Sequence, residues 1–144
     1  VKKISSSIGH KLMDKNPFSK IRFSEANKNI ARLKDIFKSG HLDEFINLTE
    51  SEALMIHSLM LSSNPYFILM KPNTLEVIQR ILEYRRETKN PVCFTLDAGS
   101  NVHLLYPKFI KPEVQNLIQD ELLKFCKSEM CIYDSLGNGS VKSK

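Results

Sequence analysis

Apolar residues recur every three or four positions along much of this chain, which is the spacing that places them on one face of an α-helix. The first such stretch begins near Ser24 and stops at Gly40, a residue type that readily takes the left-handed conformation in which helices end. A second stretch follows at once, with Asp43 and Glu44 in its first turn, where negative charge interacts favourably with the helix dipole. We therefore predict two helices that form a hairpin around Gly40.

Two prolines interrupt this spacing in the middle of the chain. Pro65 and Pro72 each lack a backbone donor, and each disfavours helix in the residue before it. The five residues 66–70 that lie between these breaks are apolar, and we expect them to be buried.

A third and a fourth helix are predicted after these prolines. Asn73 and Glu76 resemble a capping pair at the start of the third helix, which the apolar spacing extends to about Glu87. Pro112 fits the first turn of the fourth helix, where a missing N–H leaves no helical hydrogen bond unmade. The exposed face of the third helix is expected to carry three arginines, Arg80, Arg85 and Arg86.

Short runs of strand-forming residues flank these helices. Residues 91–96 and 102–106 are two such runs, joined by the glycine-containing loop 97–101, and they predict a tight pair of strands. Residues 1–7 and 130–133 predict two more strands, the second of them the last in the fold. Strands interleaved with helices in this order predict an α+β fold in which helices pack on one face of a mainly antiparallel sheet.

Length and composition restrict the class of protein. A chain of 144 residues with 42% apolar residues can bury one core, so we expect a single domain. Its longest apolar runs fall far short of the roughly 20 residues that a membrane helix needs, and no membrane partner is expected. The formal charge of +5 is scattered among acidic residues, which favours a solvated surface over a face that binds polyanions.

The cysteines give a prediction about the compartment. Cys93, Cys126 and Cys131 are an odd number and lack the paired spacing of a zinc site, so we expect reduced thiols and no metal ligands. The amino-terminal residues also lack the apolar core of a secretory signal. A cytoplasmic protein is the resulting expectation.

Asp97 is the strongest candidate for a chemical role. It directly follows the apolar run 91–96 and enters a glycine turn, so its carboxylate is expected to project from a strand end that the core holds rigid. On residue type alone, an aspartate in such a turn is more often a turn former or a cap than a catalyst.

The residues around Asp97 nevertheless match a known signature. The sequence F-T-L-D-A-G-S-N at residues 94–101 resembles F-T-x-D-A-G-P-N, a motif of the mevalonate diphosphate decarboxylases, and departs from it only where Ser100 replaces the proline. Segments similar to other landmarks of that family occur in the family's order, at residues 4–10, 56–58 and 64–67. The chain therefore resembles the carboxy-terminal domain of a mevalonate diphosphate decarboxylase.

The resemblance implies a fold, a reaction and partners. Residues 1–144 would form a ferredoxin-like carboxy-terminal domain, inactive by itself, of a two-domain enzyme whose amino-terminal ATP-binding domain is absent from this sequence. The implied reaction is the ATP-dependent decarboxylation of 5-diphosphomevalonate to isopentenyl diphosphate, with release of ADP, phosphate and carbon dioxide. ATP and Mg2+ are the implied cofactors, bound mainly by the other domain, and the resemblance implies a homodimer in many members.

The same resemblance assigns residues to the site. The family's aspartate at the position of Asp97 lies by the C3 hydroxyl of the substrate, as its base or its orienting acceptor. Ser5 and Ser6 match a serine pair, one of which contacts the substrate diphosphate, and we favour Ser6. His57 matches a family histidine, which we interpret as structural. His10 stands where the family commonly has methionine, which leaves a substrate contact at that position open.

Three alternatives stay open at this point. Related enzymes decarboxylate the monophosphate or only phosphorylate the C3 hydroxyl, and because the C3 kinases tend to lack this aspartate, Asp97 favours a decarboxylase. A ferredoxin-like sheet with positive charge also suits RNA recognition, although the strand around Phe94 lacks the closely spaced aromatic residues that stack bases. A purely structural or dimerising domain is the third alternative.

Overall fold

The computed structural model describes Met13 and residues 15–137. In the described part of the chain, two long helices, α1 and α2, are followed by a third helix, a strand pair and a fourth helix. The elements are α1 (Ser19–Ser39), α2 (Leu42–Leu61), α3 (Pro72–Thr88), β1 (Cys93–Leu96), β2 (Val102–Leu105) and α4 (Lys111–Leu117). The last helix continues as a π-helical turn, Ile118–Leu122, and a 3-10 turn, Leu123–Phe125.

The predicted helical hairpin is confirmed. Helix α1 ends at Gly40, whose φ of 73° is left-handed and whose N–H donates to the carbonyl of Ile36 at 2.8 Å. Glu52 on α2 accepts hydrogen bonds from both Arg22 and Asn29 on α1, at 2.6 and 2.7 Å. Helix α1 begins five residues before the predicted start near Ser24, directly after the turn at Pro17.

The strand pair is also confirmed, and its first strand lies in the main core. Strands β1 and β2 are antiparallel, with Cys93 opposite Leu105 and Leu96 opposite Val102. The core cluster combines β1 with side chains of α2, α3 and α4, and its most buried members are Ile81, Val92, Phe94 and Val114. The predicted α+β class is therefore confirmed, with four helices and a two-stranded antiparallel sheet in the described residues.

Of the two other predicted strands, one is contradicted by the structure and one is not tested. Residues 130–133 form no strand, and Ile132 is 96% exposed. The prediction was wrong because an apolar, β-prone run becomes a strand only when another strand lies beside it, and none of the described residues supplies that partner. Residues 1–7 lie outside the described residues.

The segment between the prolines was predicted to be buried, and this is correct for only part of it. Phe67 is buried, whereas Tyr66 and Ile68 are 71% and 63% exposed. Residues 66–70 form neither helix nor strand, and exposure alternates along residues 66–68, so neighbouring side chains face different surroundings. Phe67 joins a second, smaller cluster with Met13, Leu59 and Met60.

The start of α3 differs from the predicted capping pair. The cap is Lys71, whose N–H donates to the Thr74 hydroxyl at 3.1 Å, and Pro72 occupies the first turn. Asn73 instead donates from its side chain to the carbonyl of Phe125 at 2.9 Å. A threonine three residues after the cap supplies the acceptor that the Glu76 prediction required.

No helix in the described part of the chain is long and apolar enough to cross a membrane. The three cysteines are free thiols, with Cys93 buried and Cys131 exposed.

Candidate active site

The candidate site is the loop that joins β1 to β2. Asp97 is the first residue after β1, as predicted, and is half-buried. Its Oδ2 accepts a hydrogen bond from the side-chain amide of Asn101 at 3.3 Å. Its Oδ1 is buried and has no hydrogen-bond partner among the described residues. A buried carboxylate oxygen without a donor is costly, and such an atom often marks a place where a ligand supplies the missing group.

Gly99 allows the carboxylate to take this position. A β-carbon built on Gly99 would lie 2.8 Å from Asp97 Oδ1, which is closer than carbon and oxygen atoms normally approach. A side chain at position 99 would therefore force the Asp97 carboxylate or the loop to shift.

Two buried side chains from different helices hold the carbonyl groups of this loop. His57 on α2 donates from Nε2 to the carbonyl of Asp97 at 3.1 Å, and Thr74 on α3 donates from its hydroxyl to the carbonyl of Ser100 at 2.9 Å. The exposed fractions of His57 and Thr74 are 2% and 3%. Because a carbonyl oxygen only accepts, the proton of His57 must be on Nε2.

An ion pair holds the strand that carries Asp97. Arg85 on α3 binds Glu50 on α2 through two hydrogen bonds, of 2.6 and 3.0 Å, and also donates to the carbonyl of Val92 at 2.9 Å. Glu50 in turn accepts from the N–H of Phe94 at 3.3 Å. The hydrogen bond to Glu50 raises the pKa of Arg85 above its ordinary value.

Arg85 was predicted to lie on the exposed face of α3, and this was wrong. Only a quarter of its side chain remains exposed because it reaches back to Glu50 and to the edge of β1. The ion pair thereby binds the carbonyl of Val92, just before β1, and the N–H of Phe94 within β1.

Sequence reasoning missed Glu50, Arg85 and Thr74 as residues that support the site. Glu50 could have been found, because it lies four residues after Ile46 and three before Ala53, on the apolar stripe of α2. A charge at such a position indicates a buried ion pair. No comparable signal marks its partner, which is 35 residues away along the chain.

Of the predicted site residues, Asp97 alone lies among the described residues, and His57, which the sequence led us to interpret as structural, contacts its carbonyl. Ser5, Ser6 and His10 lie outside the described residues, so the predicted diphosphate contact stays a prediction. Within residues 13 and 15–137, no three His, Cys, Asp or Glu side chains are grouped closely enough to hold a metal ion.

Comparison with known proteins places this geometry in a family. The model of the mevalonate 5-diphosphate decarboxylase C-terminal domain matches residues 1–140. No curated protein sequence is significantly similar to the chain.

Solved structures share the fold. A mevalonate diphosphate decarboxylase from Legionella pneumophila is 29% identical, with a TM-score of 0.77 over 84% of this chain and 38% of that one. The corresponding enzyme from Enterococcus faecalis, in a structure that concerns ATP binding mediated by mevalonate diphosphate, is 22% identical, with a TM-score of 0.76 over 84% and 38% of the two chains.

A third structure, of MDDEF in complex with MVAPP, AMPPCP and magnesium, is 22% identical, with a TM-score of 0.78 over 87% of this chain and 38% of that one. The chain thus spans under two fifths of the length of these enzymes. The match of the family model over almost the whole sequence, together with the shared fold, shows that this chain belongs to the family of mevalonate 5-diphosphate decarboxylase C-terminal domains.

Proposed function

We propose that this chain forms the carboxy-terminal half of the active site of an ATP-dependent decarboxylase that converts 5-diphosphomevalonate to isopentenyl diphosphate. The observation that carries the proposal is Asp97, in the F-T-L-D-A-G-S-N motif, with a buried carboxylate oxygen that lacks a donor in the described part of the chain. The C3 hydroxyl of the substrate is a donor of the required kind.

In the proposed reaction, the γ-phosphoryl group of ATP is transferred to the C3 oxygen, and the hydroxyl proton passes to the Asp97 carboxylate. The C3–O bond then breaks, and its electron pair leaves with the phosphate. The bond between C2 and the substrate carboxylate breaks with loss of carbon dioxide, and the electron pair of that carbon–carbon bond forms the alkene. A tertiary alcohol is too weak an acid to ionise beforehand, so proton transfer must accompany phosphoryl transfer. The orientation of Asp97 toward that hydroxyl therefore matters as much as its basicity.

Other parts of the proposed enzyme lie beyond the described residues. Ser5 and Ser6 are proposed to donate to the substrate diphosphate, and the amino-terminal domain is proposed to bind ATP. Magnesium, when bound, would offset the charge of the triphosphate, and the described residues offer no cluster of ligands for it. That ATP, a diphosphate substrate and magnesium are used here is supported by the complexes in which related enzymes were solved.

The proposal also covers the compartment and the oligomeric state of the enzyme. Its free cysteines suit the cytoplasm, where thiols stay reduced. A homodimer, which the resemblance implies, is tested by chromatography with light scattering on the full-length protein.

The decisive experiment compares the full-length protein with its Asp97→Asn and Asp97→Ala variants, with ATP and 5-diphosphomevalonate as substrates. Both variants should lower kcat by roughly 100- to 10,000-fold, the usual contribution of a positioned acid or base. Asp120→Asn, a change at an exposed aspartate on the π-helical turn, is the matched control and should leave kcat unchanged.

Release of ADP, phosphate and carbon dioxide should be measured separately, since the pattern of products distinguishes the proposed decarboxylase from related enzymes. ADP without carbon dioxide would indicate a C3 kinase, and preference for 5-phosphomevalonate would indicate the monophosphate enzyme. Unchanged carbon dioxide release by both Asp97 variants would remove Asp97 from the mechanism.

A further inference from the structure

We propose that His57 and Thr74 are positioning residues that fix the loop 97–101 and thereby orient the Asp97 carboxylate toward the reacting hydroxyl. This inference rests on the proposed function. Both side chains are almost completely buried, and both donate to loop carbonyls rather than to groups of their own helices. The two carbonyls, of Asp97 and Ser100, lie on either side of the close approach at Gly99.

The first anchor, the hydrogen bond from His57 to the carbonyl of Asp97, depends on how α2 lies against β1. Glu50 and His57 are seven residues apart, two helical turns and about 10.5 Å along one face of α2. Their main-chain partners, Phe94 and Asp97, are three residues apart, about 10 Å along an extended chain. Because these distances agree, α2 can bind the N–H of Phe94, in β1, and the carbonyl of Asp97, just after β1, at the same time. A shift of the Asp97 backbone would break the His57 bond while the Glu50 bond held the other end.

The second anchor, the hydrogen bond from Thr74 to the carbonyl of Ser100, joins the loop to the start of α3. The Thr74 hydroxyl accepts from the N–H of Lys71 at 3.1 Å and donates to the carbonyl of Ser100 at 2.9 Å. Its proton is therefore committed to Ser100, since the first bond uses only a lone pair. The group that caps the helix also holds the end of the loop.

These anchors matter because the loop has little other restraint. Serine at position 100 lacks the fixed φ that proline would impose, which leaves the chain more conformational freedom there. The only side-chain bond that the described residues make to the Asp97 carboxylate is the 3.3 Å contact from Asn101, itself a loop residue. The orientation of the carboxylate thus depends on how the backbone on both sides of it is held.

The test uses the full-length enzyme and two matched pairs of variants. His57→Gln keeps a donor near the position of Nε2 and His57→Leu removes it; Thr74→Ser keeps the hydroxyl and Thr74→Val removes it. The donor-free variants should lower kcat by 10- to 100-fold with KM within twofold of the parent. The donor-keeping variants should stay within threefold. Thermal unfolding identifies any variant that fails to fold, and the other pair then decides the outcome.

A double-mutant cycle separates positioning from general damage. If His57 and Thr74 act through Asp97, then the donor-free changes should lower kcat by less than twofold when Asp97→Asn is already present. An equal loss in both backgrounds, or unchanged kcat in folded donor-free variants, would overturn the inference. A parent enzyme that releases no carbon dioxide from 5-diphosphomevalonate would instead overturn the proposed function, so the two failures are distinguishable.

Discussion

Gly99 lies so close to the carboxylate of Asp97 that a β-carbon at position 99 would be 2.8 Å from Oδ1. The φ of Gly99 lies outside the left-handed region, so a substitution there would act through this contact and not through backbone strain. A side chain there would have to displace either the carboxylate or the loop.

We expect Gly99→Ala to lower kcat of the full-length enzyme by roughly 10- to 100-fold, because an added methyl group moves the Asp97 carboxylate from its position, and small misplacements of reacting groups are costly. Unfolding temperature should change little. Gly137→Ala is the matched control, since a β-carbon there meets nothing within 4 Å. Full activity of Gly99→Ala, measured as carbon dioxide release, would show that the close approach is not needed.

Glu50→Gln should destabilise the domain by about 2 to 3 kcal/mol, because it leaves the half-buried Arg85 without its counter-charge. The expected loss is below that for a fully buried pair, since a quarter of the Arg85 side chain remains exposed. Urea unfolding of the full-length protein and of the variant measures this difference. Glu87→Gln, at an exposed position on α3, should change the free energy of unfolding by under about 0.5 kcal/mol. Equal stability of the two variants would show that the Glu50–Arg85 pair contributes nothing net.

The thiols should differ strongly in reactivity toward iodoacetamide. Burial, with a smaller effect from Glu50, raises the pKa of Cys93 to about 12, so at pH 8 only about one molecule in ten thousand carries its thiolate. Cys131 is exposed and should react first, while burial also raises the pKa of Cys126 and slows its reaction. Peptide mass spectrometry after a short exposure of the native protein gives the order.

The same shift has a consequence for stability at high pH. Because the folded-state pKa of Cys93 lies above the ordinary value of 9.0, protonated Cys93 contributes stability in full below about pH 9. That contribution is lost as the pH rises toward about 12. Rapid alkylation of native Cys93 at pH 8 would contradict both the predicted order of thiol reactivity and the predicted loss of stability at high pH.

Local patterns in the sequence were enough for much of the fold. The end of α1 at Gly40, the hairpin of α1 and α2, and the antiparallel strands β1 and β2 were all predicted. The position of Asp97 directly after a strand followed from the same reading. These features depend on residues close together in the chain, through periodicity, helix termination and turn chemistry.

Features that depend on what lies beside a segment were not predictable in this way. Residues 130–133 have the composition of a strand, yet they have no neighbouring strand in the described part of the chain. Arg85 has the spacing of an exposed residue, yet it turns inward because Glu50 presents a charge on the packed face of α2.

The sequence by itself determined the helical segments, the central pair of strands and the aspartate that stands at the end of one of them. Only the tertiary structure decided what holds that aspartate: His57, 40 residues earlier in the chain, and Thr74, on a different helix from His57. The physical reason is that secondary structure follows from bonds and contacts over a few residues. The hydrogen bonds that orient the Asp97 loop exist only once α2, α3 and β1 have packed around a common core.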